Sequence, residues 1–336
     1  MLLQSSLALL LASLTAAQHI TNDTTDTSGN VVIPDDVTID NSVWWSIYNS
    51  NLDFSRSKEI KNLGGFYWFG DNYDGYYWIS GGTKLINSGI FYMKSVRASN
   101  SIMFFTQQFV NSGDLYVIGV QNKWTSVDIP GENWTNNQGA SILMYFDTRP
   151  GKGATFGTEH HPITNNGQIC MRNYFWTSRS SVHGTGCIDI GENSVFQYQE
   201  SELFPSDQTL YLSTPTSVVL LGSAKQYYPY MISGFGGGNY ITHGSQIDRY
   251  EYNADSGLLT VHTRDAGSRQ PCTMHYNIGL GYHQSMFKIL ELVDLGPGIG
   301  ISPQNSTITY EGKVPEYSTA HNGCVLCKDE PMFPPQ

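Results

Sequence analysis

Histidine and carboxylate residues that could support acid–base catalysis are concentrated in one part of this sequence. His183 follows a group formed by Glu159, His160 and His161, and Asp189 comes shortly after it. Hydrolysis of a glycosidic bond needs two carboxyl groups that face each other across it, about 5–9.5 Å apart. Asp189 stands alone on its predicted strand, so we predict that His183 is a turn residue and not part of a catalytic pair.

The segment Val182-His183-Gly184-Thr185-Gly186 is similar to the Gly-His-Gly motif of polygalacturonases. Their Asn-Thr-Asp, Asp-Asp and Arg-Ile-Lys elements have no counterpart on the predicted strands, since Asp35-Asp36 lies before the repeat described below. We therefore predict no catalytic residues and no cofactor. A β-helical, polysaccharide-active hydrolase or lyase is the alternative.

Asp35-Asp36 is also the only pair of adjacent aspartates, the arrangement with which flocculin-type lectins hold calcium. The pair lies in a polar N-terminal stretch, without the Trp-rich surroundings of such a pocket. A sugar-binding lectin module remains a further alternative, but we predict no metal site.

The cysteines are expected to form disulfides in an oxidising compartment, with one thiol left over. They are Cys170, Cys187, Cys272, Cys324 and Cys327. Alignment of two neighbouring repeats on Gly167 and Gly184 places Cys170 and Cys187 three residues after their glycines, on the outward face of adjacent strands. Parallel strands lie about 4.8 Å apart, within the Cα window of about 4.4–6.8 Å for a disulfide, so we predict a Cys170–Cys187 bond.

The remaining cysteines predict one bond between Cys272 and either Cys324 or Cys327. The segment Cys324-Val325-Leu326-Cys327 could instead be half of a zinc site or a redox pair. Neither the further zinc ligands nor a thioredoxin-like context is visible in the sequence.

A short repeat predicts the strands that would position these residues. Asn-containing segments end at Gly64, Gly89, Gly113, Gly139 and Gly167, which are 25, 24, 26 and 28 residues apart. Asn and Gly are expected there because both tolerate the positive φ of a tight corner. The second and fourth residues after each glycine are apolar in nine of ten cases, with Ser141 as the exception.

Because side chains alternate along a strand, those apolar positions share one core. They predict an all-β chain with a right-handed parallel β-helix over residues 18–215. Leucine-rich repeats have a similar period, but their Leu-x-x-Leu-x-Leu pattern is missing here.

Three tyrosines occupy the third position after their glycines and should therefore point outward on successive turns. They are Tyr67, Tyr92 and Tyr116. Such a face could bind sugars or hydrophobic surfaces, or the rings could stabilise the solenoid by stacking alone. A second aromatic group, Tyr227, Tyr228 and Tyr230, could form a sticky loop but is expected to pack the junction between domains.

The pattern beyond residue 215 is typical of antiparallel hairpins. Ile247 to Tyr252 and Leu258 to Val261 flank a turn ending at Gly257. We predict a small antiparallel β-sandwich over residues 216–295 that caps the solenoid, followed by a Pro-, Gly- and Ser-rich connector over residues 296–336.

The N-terminus predicts secretion. An apolar run from Leu7 to Leu14 precedes small residues, so we expect a signal peptide over residues 1–17. Three N-glycosylation sequons begin at Asn22, Asn133 and Asn305, which agrees with a secreted glycoprotein.

The net charge of −11 and the absence of basic clusters argue against nucleic acid or anionic lipid as a partner. No direct membrane span is predicted, and we expect a monomer. With 14% charged and 13% aromatic residues, the chain has the composition of strands and turns, not of helices.

The repeats and several later segments together resemble the hyphally regulated cell-wall protein family of yeasts. Those segments are Gly234-Phe235-Gly236-Gly237-Gly238-Asn239, the Tyr252-to-Val261 hairpin, Ile278-Gly279-Leu280-Gly281-Tyr282 and the terminal Cys-x-x-Cys. The resemblance covers roughly residues 40–330. It implies a fungal adhesin-like head, a β-helix followed by a β-sandwich without catalytic residues, displayed from the cell wall on a Ser/Thr-rich stalk of a GPI-anchored parent protein. From secretion, the disulfide-bearing solenoid and this resemblance, we predict a role in cell-surface adhesion or wall architecture, with wall glycans, host glycans or abiotic surfaces as partners.

Overall fold

The structure is a computed structural model. It describes residues 17–32, 36–48, 51–53, 58–70, 78–79, 84–96, 102–104, 107–120, 127–147, 153, 155–199, 207–222, 229–264, 271–296, 298–319 and 324–334. The predicted signal peptide, apart from Ala17, and the predicted loop residues Tyr227 and Tyr228 lie outside the described residues.

The described chain is all-β, with almost no helix, and forms a β-solenoid of about seven turns. Its strands lie in four sheets, numbered here 1 to 4. Sheet 1 contains, in order, Gln18–Ile20, Val37–Ile39, Glu59–Asn62, Lys84–Asn87, Gln108–Asn111, Asn133–Asn136, Ile163–Asn165 and Val182–His183. Its neighbouring strands are parallel.

Sheet 2 is the largest sheet and begins with ten parallel strands. These are Thr24–Asp26, Trp44–Tyr48, Gly65–Gly70, Ile90–Ser95, Asp114–Gly119, Ser141–Phe146, Gln168–Arg172, Cys187–Ile190, Thr209–Leu212 and Tyr230–Ser233. Three strands complete it in the order Pro271–Asn277, Leu258–Arg264 and Gln246–Asn253, and these pair with one another in antiparallel fashion.

Two six-stranded sheets close the turns of the solenoid. Sheet 3 contains Asn30–Val32, Asn51–Asp53, Trp78–Ile79, Ile102–Phe104, Val127–Ile129 and Thr155–Phe156. Sheet 4 contains Phe175–Ser178, Val195–Tyr198, Val218–Leu221, Tyr240–His243, Thr307–Tyr310 and Phe287–Leu290. Two short 3-10 helices, Gln284–Met286 and Glu316–Thr319, are the helical segments of the described residues.

Eight of the nine apolar positions predicted from the repeat form one core, whereas Leu143 lies on the outer face, beside Tyr116. Equivalent aromatic side chains of successive turns stack on one another, with ring centroids of Phe66 and Phe91 4.5 Å apart and those of Phe109 and Trp134 4.8 Å apart. This stacking of like residues continues the hydrophobic interior from one turn to the next.

The predicted register of the repeat at Gly139 is wrong by one residue. The neighbours of Leu115 and Val117 in sheet 2 are Ile142 and Met144, so Ala140, not Gly139, is equivalent to Gly113. Ser141 therefore lies on the outer face, which explains why it interrupted the apolar pattern.

Of the five repeated glycines, Gly139 alone adopts the predicted positive φ, at 81°. Gly64, Gly89 and Gly113 do not adopt positive φ. Instead, a Cβ atom on Gly89 would lie 1.9 Å from the carbonyl oxygen of Gly64, and one on Gly113 would lie 2.1 Å from that of Gly89. Only glycine allows the corners of successive turns to approach this closely.

The repeated asparagines form a buried ladder along the solenoid. The Nδ2 group of Asn62 donates to Oδ1 of Asn87, and the same contact of 2.8–2.9 Å links Asn87 to Asn111, Asn111 to Asn136, and Asn136 to Asn165. Each asparagine thus provides a hydrogen-bond donor for the buried amide oxygen of the next one. Asn136 and Asn165 belong to the ladder, whereas the predicted repeat begins one residue later in these two copies, at Asn137 and Asn166.

The structure does not confirm a separate β-sandwich. Parallel pairing continues past residue 215 through Tyr230–Ser233 in sheet 2 and Tyr240–His243 in sheet 4. The hairpin Gln246–Asn253 with Leu258–Arg264 is antiparallel, as predicted. Its strands, however, extend sheet 2 of the solenoid, to which Pro271–Asn277 joins them, and thereby cover the last parallel turn.

Candidate functional site

A C-terminal segment, residues 324–334, lies across the outer face of sheet 2 and is called the strap below. Two disulfides attach it to neighbouring strands, Cys187–Cys324 and Cys170–Cys327, with Cα separations of 5.1 and 6.1 Å. From there the strap continues over successive strands toward the N-terminal turns. This segment was predicted to be a connector.

The predicted Cys170–Cys187 disulfide is therefore wrong. In sheet 2 the neighbour of Cys170 is Asp189 and the neighbour of Cys187 is Gln168. Gly186, rather than Gly184, stacks on Gly167, which moves Cys187 two residues out of the assumed register.

The predicted bond from Cys272 to the tail is wrong as well, because both tail cysteines bind the solenoid. Cys272 belongs to neither disulfide. It lies half-buried in the antiparallel strand Pro271–Asn277, opposite Thr263.

Polar contacts hold the strap along its length. The side-chain amide of Gln168 pairs with the backbone of Val325. Its Nε2 donates to the Val325 carbonyl oxygen at 2.5 Å, and its Oε1 accepts from the Val325 N–H at 2.8 Å. Further along, Lys328 forms an ion pair with Asp114, with Nζ 2.5 Å from Oδ1.

The next contact of the strap is made by Glu330. Its carboxylate accepts hydrogen bonds from Lys94, at 2.8 Å, and from the hydroxyl of Tyr92. Burial and this carboxylate together raise the pKa of Tyr92 well above its usual value. Tyr92 therefore serves as a neutral hydrogen-bond donor to the strap.

The predicted register of the tyrosines is confirmed, since Tyr67, Tyr92 and Tyr116 are neighbours on adjacent strands of sheet 2. Their exposure is not as predicted. The strap leaves the three side chains only 8%, 1% and 3% exposed. The prediction of an open aromatic face is corrected: the rings contact the chain's own C-terminal segment.

Phe333 fills the centre of this aromatic cluster. Its ring centroid lies 5.0 Å from that of Tyr48, 5.5 Å from Tyr67 and 5.4 Å from Tyr92. The hydroxyl of Tyr48 also donates to the carbonyl oxygen of Pro334 at 3.1 Å. Burial and the nearby Asp114 carboxylate raise the pKa of Tyr116 to about 12, as expected for a covered ring.

A groove of about 410 Å³ runs between the strap and the corners of the solenoid. Gly139, Ala140 and Gly167 form one wall, and Leu326 and Lys328 contribute to the other. Leu326 is 92% exposed, so the strap presents an apolar side chain to solvent beside this groove.

The candidate catalytic residues do not form a facing carboxylate pair with Asp189. Asp189 is buried and binds Arg172 through two hydrogen bonds of 3.0 and 2.9 Å, while Ser213 donates to it at 2.5 Å. Arg172 and Ser213 thus hold Asp189 in a structural ion pair. The Sγ atoms of Cys170 and Cys327 lie near its carboxylate, but they are bonded to each other and offer no thiolate for a metal.

The histidines of the catalytic hypothesis lie at the surface. His183 is exposed, and its Nε2 lies 3.0 Å from the hydroxyl of Ser181. Glu159 and His160 are exposed in a turn, where His160 adopts a φ of 68°, and His161 is half-buried beside them.

The other predicted residues have simple positions. Asn22 and Asn133 are exposed, whereas Asn305 is half-buried in a left-handed turn with a φ of 51°. Tyr230 is buried and stacks on Tyr276, with ring centroids 5.7 Å apart, so it packs the junction with the antiparallel strands.

Sequence reasoning did not find the strap. Its partners lie 137 to 286 residues away along the chain, and its own composition does not specify a surface on which to lie. Two features of the sequence indicate such a segment. The Cys-x-x-Cys pair can attach it by disulfides, and the row of outward tyrosines forms an apolar surface that it can cover.

Parallel stacking, the asparagine ladder and the strap define a disulfide-bonded β-solenoid domain. The chain belongs to the hyphally regulated cell wall protein family, whose N-terminal region matches residues 8–334. Membership in this family places the chain, as a secreted protein, at the cell wall or cell surface. None of the helices in the described residues has the length and apolar character needed to cross a bilayer.

Several relatives from Candida albicans are similar over nearly the whole chain. Hyphally regulated cell wall protein 3 is 28% identical over 97% of this chain and 26% of its own length. Cell wall protein IFF7 is 27% identical, and hyphally regulated cell wall protein 1 is 25% identical, each over 97% of this chain and over 47% and 35% of their own lengths. The chain thus spans between about a quarter and a half of these relatives.

Proposed function

We propose that this chain is the non-catalytic head of a cell-wall protein that acts in cell-surface adhesion or in wall architecture. The observation that carries the proposal is the strap. Two disulfides, two ion pairs and an aromatic cluster fix the C-terminal segment across at least five neighbouring strands of sheet 2. Such cross-linking suits a head that must stay folded while it holds a surface.

The wall proteins to which the chain is similar support this proposal, because they are named as cell wall proteins and not as enzymes. Asp189 is committed to Arg172, which further weakens the case for a carboxylate pair. The proposed partners are glycans of the wall or of a host surface, or an abiotic surface. A stalk in a longer parent protein would present the head to them.

Attachment of the folded chain to surfaces is the direct test of adhesion. Beads that carry the secreted chain should attach to glycan-coated or plastic surfaces more strongly than beads that carry the same chain after thermal unfolding. Attachment is counted under flow. The same preparation should release no reducing sugar from pectic, glucan or mannan substrates.

Two outcomes would contradict the proposal. One is attachment no greater than that of the unfolded control on every surface. The other is turnover of a polysaccharide that is abolished by His183→Ala, which would show an enzyme. His283→Ala is the matched control for that substitution, because it alters an exposed histidine outside the group formed by His183, Glu159, His160 and His161.

A further inference from the structure

A second concave surface, called the corner cleft below, lies away from the strap, where successive turns pass from sheet 2 to sheet 4. It has a volume of about 560 Å³, within the range of about 300–1,000 Å³ typical of small-molecule sites. The corners after the strands Ser141–Phe146 and Cys187–Ile190 form one side. Asp294 to Gly296, from the loop that follows Phe287–Leu290, form the other.

The rim of the corner cleft is rich in hydrogen-bonding groups. Asn193 uses its N–H groups within the protein: the backbone N–H donates to Oγ1 of Thr216 at 2.8 Å, and Nδ2 donates to Oδ1 of Asn173 at 3.0 Å. These bonds fix the amide and leave its carbonyl oxygen as an acceptor. The carboxylate of Asp147, which accepts a hydrogen bond from the Tyr145 hydroxyl, adds a further acceptor oxygen to the rim.

Asp294 supplies a similar group on the opposite wall. Its Oδ1 accepts from the backbone N–H of Gly296 at 2.8 Å, which orients the carboxylate and leaves the second oxygen for a ligand. The cleft is thus lined on both sides by oriented acceptors.

The floor of the cleft is apolar. Tyr240, half-buried, packs on a cluster that contains Val218 and Leu295, and all three line the cleft. The ring of Tyr240 therefore has its position fixed by packing from behind. An aromatic face held in this way can stack on another flat apolar surface.

A sugar ring has the complementary structure, with hydroxyl groups around its edge and an apolar C–H face. We propose that the corner cleft binds a neutral saccharide, with Tyr240 under the ring face and Asp147, Asn193 and Asp294 accepting hydrogen bonds from hydroxyls. This inference names a ligand class for the proposed adhesive head and in that sense rests on the proposed function.

Charge selects the kind of saccharide. None of the described residues that line the cleft is Lys, Arg or His, whereas two carry carboxylates. The chain as a whole has a net charge of −11. A uronic acid or phosphorylated sugar would be repelled, while hydrogen bonds from neutral hydroxyls to carboxylates are the stronger, charge-assisted kind.

The test uses the secreted chain on an array of neutral, uronic-acid and phosphorylated oligosaccharides, followed by calorimetric titration of the best neutral binder. Tyr240→Leu combined with Asn193→Gly should weaken binding about tenfold or more. The double variant loses one stacking contact and one hydrogen bond between uncharged groups. Glycine is chosen because Asn193 has a φ of 47°. Asp255→Asn, in an exposed hairpin turn outside the cleft, is the control and should bind as the unaltered chain does.

Asp147→Asn gives a second, independent test at an exposed residue, because the asparagine amide oxygen can still accept the hydrogen bond from Tyr145 and the fold is preserved. It should weaken neutral-sugar binding while leaving the thermal midpoint unchanged. The proposal is overturned if neither set of cleft variants alters binding, if acidic sugars bind more tightly than neutral ones, or if no neutral sugar binds at millimolar concentration. Binding that is lost with a chelator and restored by calcium would also overturn it, since the two carboxylates would then form a cation site.

These outcomes are separate from failure of the proposed function. If the unaltered chain attaches to surfaces but the cleft variants bind the neutral sugar as tightly as it does, adhesion stands and the cleft inference fails. If the unaltered chain does not attach but binds a neutral sugar at the cleft in solution, the reverse holds.

Discussion

Among single residues, His243 is the one described histidine that the fold buries, with 1% of its surface exposed. It ends the strand Tyr240–His243 and contacts the antiparallel strand of sheet 2, with Nδ1 3.2 Å from Sδ of Met274 and 3.3 Å from the hydroxyl of Tyr276. Burial lowers the pKa of His243 to about 3. The imidazole is therefore neutral wherever the protein is folded near neutral pH.

This burial predicts a loss of stability in acid. The pKa in the folded state lies below the ordinary value of 6.5, so the unfolded chain binds the proton more readily. Above about pH 6.5 His243 is neutral in both the folded and the unfolded chain, so it does not make stability depend on pH. Below that pH the free energy of unfolding should fall by about 1.4 kcal/mol for each pH unit, down to about pH 3. Urea unfolding between about pH 7 and pH 4.5 measures the slope.

Substitution of His243 isolates its part of that slope. His243→Gln should unfold with a shallower pH dependence than the unaltered chain, even if it is less stable at pH 7. The exposed His283→Asn is the control and should keep the full slope. Equal slopes in all three proteins would show that His243 does not titrate on unfolding.

At the level of structural elements, the asparagine ladder joins the turns of the solenoid through side chains as well as backbone. Asn111 receives a hydrogen bond from Asn87 and donates to Asn136 and to the carbonyl oxygen of Ser141. All of these asparagine side chains are buried. A gap in the ladder therefore leaves polar groups without water or protein partners.

Asn111→Ala should lower the free energy of unfolding by about 2 kcal/mol or more, because each buried group that loses its partner costs about 1–3 kcal/mol. Asn137→Ala is a matched control: Asn137 lies beside the ladder residue Asn136 but bonds an exposed serine, Ser112. Its effect should stay within about 0.5 kcal/mol. Denaturant midpoints measure both, and equal losses would contradict the ladder's role.

The period of the repeat predicted the turns and the apolar core, since both depend on residues that are close in sequence. The repeat could not show whether asparagine stands at the corner for its backbone or for its side chain. Asn136 and Asn137 are adjacent, and only the pairing of strands shows that Asn136 belongs to the ladder.

The register of strands also limited the prediction of the cysteines. Gly184 and Gly186 are both glycines in the same corner, and choosing the wrong one shifted Cys187 by two residues. The partner of each cysteine was set by the strap, which no local pattern reveals. The corner cleft was missed for the same reason, since it combines corners of several turns with a loop near Asp294.

At the scale of the whole molecule, the two disulfides determine how the chain would bear a pulling force. The Cys187–Cys324 bond lies, in sequence, inside the Cys170–Cys327 bond. A force applied between the two ends of the chain passes directly from Cys327 to Cys170. The segment between them, which includes sheet 4 and the antiparallel strands, is then outside the load path, and only the N-terminal turns can unfold by stretching.

This load path predicts the length released in a single-molecule stretching experiment. With both disulfides intact, the 157 residues between Cys170 and Cys327 should not extend. Reduction should free them, and at about 3.4 Å per residue the contour length should grow by about 530 Å. The double variant Cys170→Ser with Cys327→Ser keeps the inner bond, which spans 137 residues. Before reduction, its contour length should therefore exceed that of the unaltered chain by only the difference of 20 residues, about 70 Å. Equal contour lengths before and after reduction would refute the strap's disulfide pairing, and a full gain in the double variant would refute the inner bond alone.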